Sequence, residues 1–517
     1  MLTIYRSNRA EWLSEILLEE IRLNPPELLE TIDIVVNTWP MGKWLSEQIS
    51  IRNEISALIR FPFPGTYLKH ITRTILKIEP DMVDPWEARR SVWEIIKILP
   101  EITRSDQSLF IKNWLEKNSC PDGSINKEKW KMSKMIANSF DDYCLYRPDI
   151  VTKWIEENKI SRKRNNEDSD QIKWQKSIFC RLMEETNYEP FSLLAKKAIK
   201  IIKEGKIQSN DLPKKFYIYG VSSLAPIHIE LIQSLSKIID IKFFLLTPCP
   251  DLWRRCKNRR EELGNNWNNL LNNDCFVKSP GIEGKFGRMG AEFQQLLEGC
   301  GEYQLGEWNQ ADLFSASARM AELKKKEPTL LEQIQEKLVE EDSKKILKRE
   351  KSDESLLFMA SPGKLREVQL IRDQIIQWLA KDSELQPKDI LIMTPQISKF
   401  APLIASVFND IGATGVEIPW RITDRSQQDN PGLNQCFLDI LKIGSTRFTS
   451  KSLGSILNNQ SIQEIYGFDY PEIENILNHL QLTGFRWGLD GKERDGDEIH
   501  SLRWCLERWL MGIIFSE

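Results

Sequence analysis

The chain has 517 residues, of which 41% are hydrophobic and 28% charged, proportions typical of a globular protein with about two to four domains. The formal net charge of −4 excludes a uniformly basic nucleic-acid coat, so any such contact must come from a local surface. Nine cysteines without a C-x-x-C pair and four widely separated histidines argue against a zinc site or a disulfide framework. With no signal-peptide pattern and no run of about 18 apolar residues, the sequence predicts a cytoplasmic protein.

The amino-terminal region alternates short apolar runs with amphipathic stretches. Leu2–Tyr5 precedes one helical pattern, and Ile32–Val36 precedes another that begins near Pro40, a residue favoured in the first turn of a helix. This order of strand and helix predicts an α/β fold with a parallel sheet, to which Phe216–Tyr219 and Ile241–Leu246 would add two further strands.

The turn after the first strand lacks the chemistry of a nucleotide-binding loop. P-loop ATPases carry G-x-x-x-x-G-K-[ST] there, because glycines let main-chain N–H groups reach phosphate and the lysine contacts it. Residues 6–9 contain neither glycine nor lysine, and no carboxylate follows Phe216–Tyr219, where a magnesium ligand would be expected. The sequence therefore predicts a binding fold with no catalytic residue, cofactor site or metal ligand of its own.

Helical patterns fill about residues 66–205, which predicts a large helical insertion in the first domain. Its clearest helix runs from about Glu128 to Tyr146. The residues expected on its buried side are Met132, Met135, Ile136, Phe140 and Tyr143.

A charged segment near residues 340–354 indicates a linker, so the domains are predicted at 1–345 and 346–517. The second domain repeats the β–α pattern, with strands expected at Leu356–Met359 and Ile390–Met393. Lys364–Trp378 and Pro402–Phe408 are expected to be helices. The last helix, Trp504–Phe515, has an apolar face for which we expect a partner, as in a fragment or the product of a split gene.

Short motifs recur along the chain in a fixed order. They are Ile4–Arg9, Phe61–Pro64, Phe140–Asp149, Gly220–Pro226, Thr247–Cys249 and Gly484–Gly488, followed in the second domain by Ala360–Glu367 and Asp389–Pro395. In this order they resemble the RecC family, the gamma subunit of exodeoxyribonuclease V, over about the amino-terminal half of its usual length. The resemblance implies two superfamily 1 helicase-like (P-loop-like) sheet units without ATPase motifs, the second one truncated.

The resemblance also implies a function. The chain would be a non-catalytic scaffold in an ATP-dependent helicase–exonuclease that processes double-strand break ends for recombinational repair. RecB-like and RecD-like motor subunits would be its partners and would supply the chemistry of ATP and Mg²⁺. The chain would contact the duplex end, guide the 3′-ending strand and read a recombination signal. Two alternatives stay open: an active helicase or nuclease subunit like the AddB proteins, and a helical adaptor that does not contact DNA.

The segment after the second strand is the first candidate for DNA contact. By the resemblance, it lies where helicases grip single-stranded DNA, and the carboxyl ends of parallel strands are where ligand sites collect. Asn37 would contribute an amide, Trp39 could stack on a base and Lys43 could pair with a phosphate. Trp39 and Lys43 depart from the small or amide side chains of the family, which favours strand binding over signal reading here. The alternative is an ordinary connection with a packed Trp39.

The polar face of the Glu128–Tyr146 helix is the second candidate. Asn138, Asp141 and Asp142 could accept hydrogen bonds from the amino groups of bases, and Arg147 could contact guanine. Phe63 and Lys69 would complete the wall of a DNA tunnel. The alternative interpretations are a solvated helix face and a Phe63 that belongs to the core.

Overall fold

The computed structural model divides into two compact units, Met1–Leu357 and Phe358–Glu517, which are described separately. The structure describes the chain outside residues 28, 80–81, 104–108, 119–126, 161–169, 207–211, 251, 253–285, 299–308, 315–326, 341–345, 423–432, 445 and 516–517. Part of the predicted linker, residues 341–345, therefore lies outside the described residues.

A six-stranded sheet forms the centre of the first unit. Its strands are β1 (Leu2–Ser7), β2 (Ile32–Val36), β3 (Ile59–Arg60), β4 (Lys215–Tyr219), β5 (Asp240–Leu246) and β6 (Asn309–Leu313). They lie in the order β3-β2-β4-β5-β1-β6, and each of the described pairings is parallel. The predicted α/β class and parallel sheet are confirmed. Strand β6 was not predicted, because Asn-Gln-Ala-Asp-Leu has little apolar character.

Helices connect and cover these strands. Those of the first unit are α1 (Ala10–Leu23), α2 (Trp39–Asn53), α3 (Pro64–Leu76), α4 (Ala88–Thr103), α5 (Leu109–Asn118), α6 (Lys127–Tyr146), α7 (Pro148–Ile160), α8 (Asp170–Thr186), α9 (Phe191–Lys203), α10 (Pro226–Leu235), α11 (Arg288–Glu298) and α12 (Leu330–Glu340). Helices α3 to α9 lie between β3 and β4, so the helical character predicted for about residues 66–205 is confirmed.

Side chains alternate along the strands and fill a core on each face of the sheet. On one face, Ile218 and Phe243 belong to a cluster with residues of α3, α9 and α10. On the other face, Ile34 and Tyr219 belong to a cluster with residues of α1 and α2. Because both faces are covered, the strands are nearly continuous apolar runs rather than alternating ones, which made them recognisable in the sequence.

The helical insertion has a core of its own, and α6 shows how one predicted side chain was misplaced. The helix buries Ile136, Ala137, Phe140 and Cys144, residues spaced three or four apart as one helix face requires. Met135, which was predicted on the buried side, is 70% exposed. It lies about 100° around the helix from Ile136, so it falls outside the buried stripe.

The second unit is helical where the structure describes it. Its helices are α13 (Lys364–Lys381), α14 (Ile397–Phe408), α15 (Ile411–Thr414), α16 (Leu433–Ile443), α17 (Ser450–Leu457), α18 (Gln460–Tyr466), α19 (Tyr470–Thr483) and α20 (Leu502–Ile514). The predicted helices at 364–378 and 402–408 are confirmed, within longer helices. Pro402 lies inside α14.

The second parallel sheet was predicted wrongly for the described residues. Leu356–Met359 and Ile390–Met393 belong to neither a helix nor a ladder, and the described part of this unit contains only the isolated antiparallel bridge between Thr449 and Trp487. The physical reason is that a strand requires a hydrogen-bonded neighbour. Local apolar character indicates a tendency to extend, but it does not provide that neighbour.

Gly42 and Gly65 provide a matched test of the packing between α2 and the chain before α3. A Cβ on Gly42 would lie 2.9 Å from both Cβ and Cγ of Phe61, whereas a Cβ on Gly65 would have no atom within 4 Å. We expect Gly42→Ala to destabilise the first unit by about 1–3 kcal/mol, although alanine ordinarily stabilises a helix over glycine. Gly65→Ala should be neutral or slightly stabilising. Urea denaturation followed by tryptophan fluorescence measures both, and a Gly42→Ala variant as stable as the unsubstituted protein would contradict this packing.

Candidate nucleic-acid interface

The carboxyl edge of the sheet collects the amino termini of four helices. Helices α1, α2, α3 and α10 directly follow β1, β2, β3 and β4, so parallel strands place their first turns at one edge. The residues before them (Arg9, Thr38, Phe63 and Ala225) form no side-chain capping hydrogen bond. The first N–H groups of a helix lack main-chain partners within it, and their dipoles favour a negatively charged ligand.

Four of the predicted contact residues lie at this edge. The main-chain N–H of Val36 donates to the carbonyl of Pro62 at 3.1 Å, which brings the segment after β2 beside the segment after β3. Asn37 and Lys43 are exposed, Trp39 is 70% exposed and Phe63 is 47% exposed. The alternatives of a packed Trp39 and a core Phe63 therefore do not hold, and DNA contact by these residues stays a prediction.

Lys43 has the electrostatic freedom that a phosphate contact requires. It forms no ion pair with any described residue. By contrast, Arg52 at the other end of the same helix is paired with Glu15. The ammonium of Lys43 is thus available beside the uncapped start of α2.

A cavity of about 710 Å³ opens along α3. It brings together Lys69 and Asp141, two predicted residues that are far apart in the sequence, and its lining does not include Asn37, Trp39, Lys43, Phe63, Asn138, Asp142 or Arg147. Its other charged or titratable lining residues include Asp33, Arg60, Asp84 and His228. The sequence analysis missed these four residues as parts of one site.

Asp33 anchors one wall of this cavity. Its carboxylate accepts two hydrogen bonds from Arg60, at 2.7 Å from Nε and 2.9 Å from Nη2, and a third at 3.0 Å from Tyr67 Oη. Burial beside this carboxylate raises the pKa of Tyr67 above its usual range, so the phenol remains a donor. The signal in the sequence was an acid inside the apolar strand Ile32–Val36, since a charge is buried only with partners.

Lys69 lies farther along α3 and is already paired. Its Nζ is 3.0 Å from Oδ2 of Asp84, while Oδ1 of Asp84 accepts the main-chain N–H of Trp86 at 3.0 Å. The ammonium also lies 5.9 Å from the centroid of the Phe191 ring. These contacts fix the side chain against the cavity wall, so its charge is balanced before any ligand binds.

Asp141 is the unpaired acid of the cavity. It forms no hydrogen bond or ion pair with the described residues, and burial raises the pKa of its carboxyl although Lys69 opposes the shift. The register of α6 explains this position: Asp141 follows Ala137 by four residues and precedes Cys144 by three, so it borders the buried stripe. A carboxylate in this position can accept hydrogen bonds from a donor that enters the cavity.

The remaining predicted residues of this region lie on the surface. Asn138 and Asp142 are exposed, as a solvated helix face would have them. Arg147 donates to Asp149 from Nε and Nη2, each at 3.2 Å, and both side chains are exposed. Exposed pairs of this kind contribute little to stability, so the pair would exchange readily for another acceptor.

His228 closes the inner end of the cavity. It is buried, its Nε2 has no hydrogen-bond partner among the described residues, and its ring centroid lies 5.4 Å from that of Phe191. Burial, and to a lesser extent the nearby charge of Lys69, lowers the pKa of His228 to about 4. The imidazole is therefore neutral at pH 7.

Within the described part of the chain, no three His, Cys, Asp or Glu side chains are placed to hold a metal ion. The five described cysteines are buried and free of disulfides. None of the described helices combines the length and the apolar character that a membrane span requires.

The lowered pKa of His228 predicts a pH-dependent stability. The unfolded chain takes up a proton near pH 6.5 and the folded chain near pH 4, so stability falls as the pH decreases through this window, by about 3 kcal/mol in total. In His228→Gln this part of the loss should vanish. His70→Gln, at an exposed histidine of the same cavity, should keep it. Urea denaturation midpoints between pH 7 and 4 measure the difference, and parallel curves for all three proteins would refute the assignment.

Comparisons with known proteins agree with this fold. Residues 2–341 match the family model of the RecC N-terminal domain, and residues 430–517 match that of the RecBCD enzyme subunit RecC fourth domain. The curated protein named RecBCD enzyme subunit RecC from Escherichia coli K12 is 24% identical over 99% of this chain and 48% of its own length. That from Haemophilus influenzae is 22% identical over 100% and 49%. The chain spans about half the length of the curated relatives it matches, and it belongs to the RecC family.

Proposed function

We propose that this chain is a DNA-contacting, non-catalytic subunit of a RecBCD-type complex that acts in DNA repair. Its role would be to guide the 3′-ending single strand from a duplex end, and RecB-like and RecD-like subunits would be its partners. The observation that carries the proposal is the carboxyl edge of the sheet, where uncapped helix amino termini lie beside the exposed Trp39 and Lys43.

This edge has the two kinds of group that hold a single strand without regard to sequence. The amino termini of α2 and α3 and the ammonium of Lys43 favour phosphate. Trp39 and Phe63 offer aromatic faces on which bases can stack, each worth about 1–3 kcal/mol. Because the segments after β2 and β3 are joined by the hydrogen bond from Val36 to Pro62, the strand would follow a surface that is already ordered.

Base reading is assigned to the neighbouring cavity. The carboxylate of Asp141 would accept hydrogen bonds from the amino group of a base, and its partial burial makes such a bond stronger than at the surface. Lys69 is neutralised by Asp84, so it would not attract phosphate into the cavity. A base therefore fits this site better than a phosphate does. Exposed Asn138, Asp142 and Arg147 would contact the strand outside the cavity.

Two contacts in the turn after β1 support a scaffold without ATPase chemistry. Ser7 Oγ accepts the main-chain N–H of Arg9 at 3.0 Å, and Arg6 donates from Nη1 to the carbonyl of Pro250 at 2.9 Å. In a P-loop the groups of this turn face phosphate. Here they are bonded within the protein, so ATP and Mg²⁺ chemistry is assigned to the partner subunits.

Lys43→Ala tests the strand-binding edge. The substitution should weaken single-stranded DNA binding for all sequences alike and should reduce the slope of log K against log salt concentration by about one. Lys237→Ala is the matched control, because Lys237 is also exposed but lies just before β5, at the amino edge of the sheet. Fluorescence anisotropy at several salt concentrations measures both. Equal effects of the two substitutions, or no effect of either, would place the DNA path elsewhere.

Asp141→Ala tests base reading separately. Removing a negative charge should leave overall affinity unchanged or raise it, while the preference among strands of different sequence should fall by about 1–3 kcal/mol at the position read. Asp240→Ala removes a comparable charge at the amino edge and should leave the preference unchanged. Anisotropy on a panel of short single strands provides the comparison. A uniform change in affinity with intact preference would identify Asp141 as an electrostatic neighbour and not a reader.

A further inference from the structure

An apolar groove of about 780 Å³ lies in the second unit. Its floor consists of Ile375 from α13 and of Ile404 and Phe408 from α14, all buried. Two non-helical segments, residues 390–394 and 418–422, form its walls. The groove thus lies between the segment that was predicted to be a strand and a second segment of similar kind.

The segment 390–394 is covered on one side only. Ile390 has an extended backbone, with φ −106° and ψ 124°, and packs on the core formed by α13 and α14. Leu391 and Met393 are 80% and 82% exposed. In the first unit, strands of the same apolar type are covered on both faces, and Ile218 and Phe243 are fully buried there.

The main chain of these segments is also without partners. No main-chain group of residues 391–394 or 417–422 forms a hydrogen bond with a main-chain group of the described residues. Apolar segments with free N–H and C=O groups accept an added strand readily, because the new ladder satisfies both chains. Two things are therefore missing at the same place, a neighbouring strand and a cover for Leu391 and Met393.

We propose that the groove is filled by a strand–helix element of the polypeptide that corresponds to the carboxyl-terminal half of RecC relatives. Its strand hydrogen-bonds to residues 390–394, and its helix covers Leu391 and Met393. The relatives provide the length for this element, since the match takes up only 48% of the Escherichia coli protein and 49% of the Haemophilus influenzae protein. A second copy of this chain fits less well, because edge-to-edge pairing of two 390–394 segments supplies a ladder but no covering helix.

Site-specific photo-crosslinking in the native cell tests this proposal on the full chain. Benzoylphenylalanine replaces Leu391, and crosslinked peptides are sequenced by mass spectrometry. The proposal expects a peptide whose sequence aligns with the carboxyl-terminal half of RecC. A peptide from a second copy of this chain, one from an unrelated protein, or no crosslink at all overturns it. Benzoylphenylalanine at Leu482, which is equally exposed at 79% on α19, is the matched control, and the same peptide recovered from both positions would also overturn the proposal.

A pair of charge substitutions gives a second, independent readout. Leu391→Asp should reduce co-purification of the crosslinked polypeptide at least tenfold, because the strand and the helix would both meet a buried charge. Leu482→Asp should leave recovery unchanged. DNA binding at the sheet edge of the first unit should persist in both variants, so failure of this proposal can be distinguished from failure of the proposed function. Full recovery with Leu391→Asp overturns it.

Discussion

The parallel hydrogen-bond ladder from β3 to β6 is the constraint on which the candidate interface depends. Parallel strands that pair in register must all end at the same edge, and each crossover must then begin its helix there. In this chain that rule brings the starts of α1, α2, α3 and α10 to one edge. Positive helix ends, Trp39 and Lys43 share a surface because of topology, whatever the distances between them in the sequence.

The cavity beside that edge depends on one buried acid. Asp33 lies on β2, Arg60 on β3 and Tyr67 on α3, so its three hydrogen bonds tie together the elements that form one wall. A buried charge pair of this kind contributes little net stability, but removal of one partner leaves an uncompensated charge. Its effect here is to fix the start of α3, which in turn fixes where Lys69 and Pro62 lie. Asp141 on α6 then meets an ordered wall instead of a mobile loop.

Much of the first unit could be predicted from the sequence because its signals are local. Strands covered on both faces are continuous apolar runs, so β1, β2, β4 and β5 were found, and a regular helical period located α6. The features that were missed depend on distant contacts. Asp33 and Arg60 are paired across two strands, and His228 reaches the cavity from α10, yet neither relation leaves a pattern of fixed spacing. Met135 was misplaced because one residue of helical rotation separates the buried stripe from solvent.

The two units together show what an apolar run can and cannot specify. Ile241–Leu246 and Ile390–Met393 have similar local composition, but only the first is hydrogen-bonded on both sides, to β1 and β4. Its partners come from positions more than 230 and about 25 residues away in the chain, so the strand exists because the fold closes around it. Residues 390–394 show the same tendency without such neighbours within the described chain. An exposed apolar segment beside a formed helical core is therefore best understood as half of an interaction, and the identity of the other half decides whether a second sheet exists.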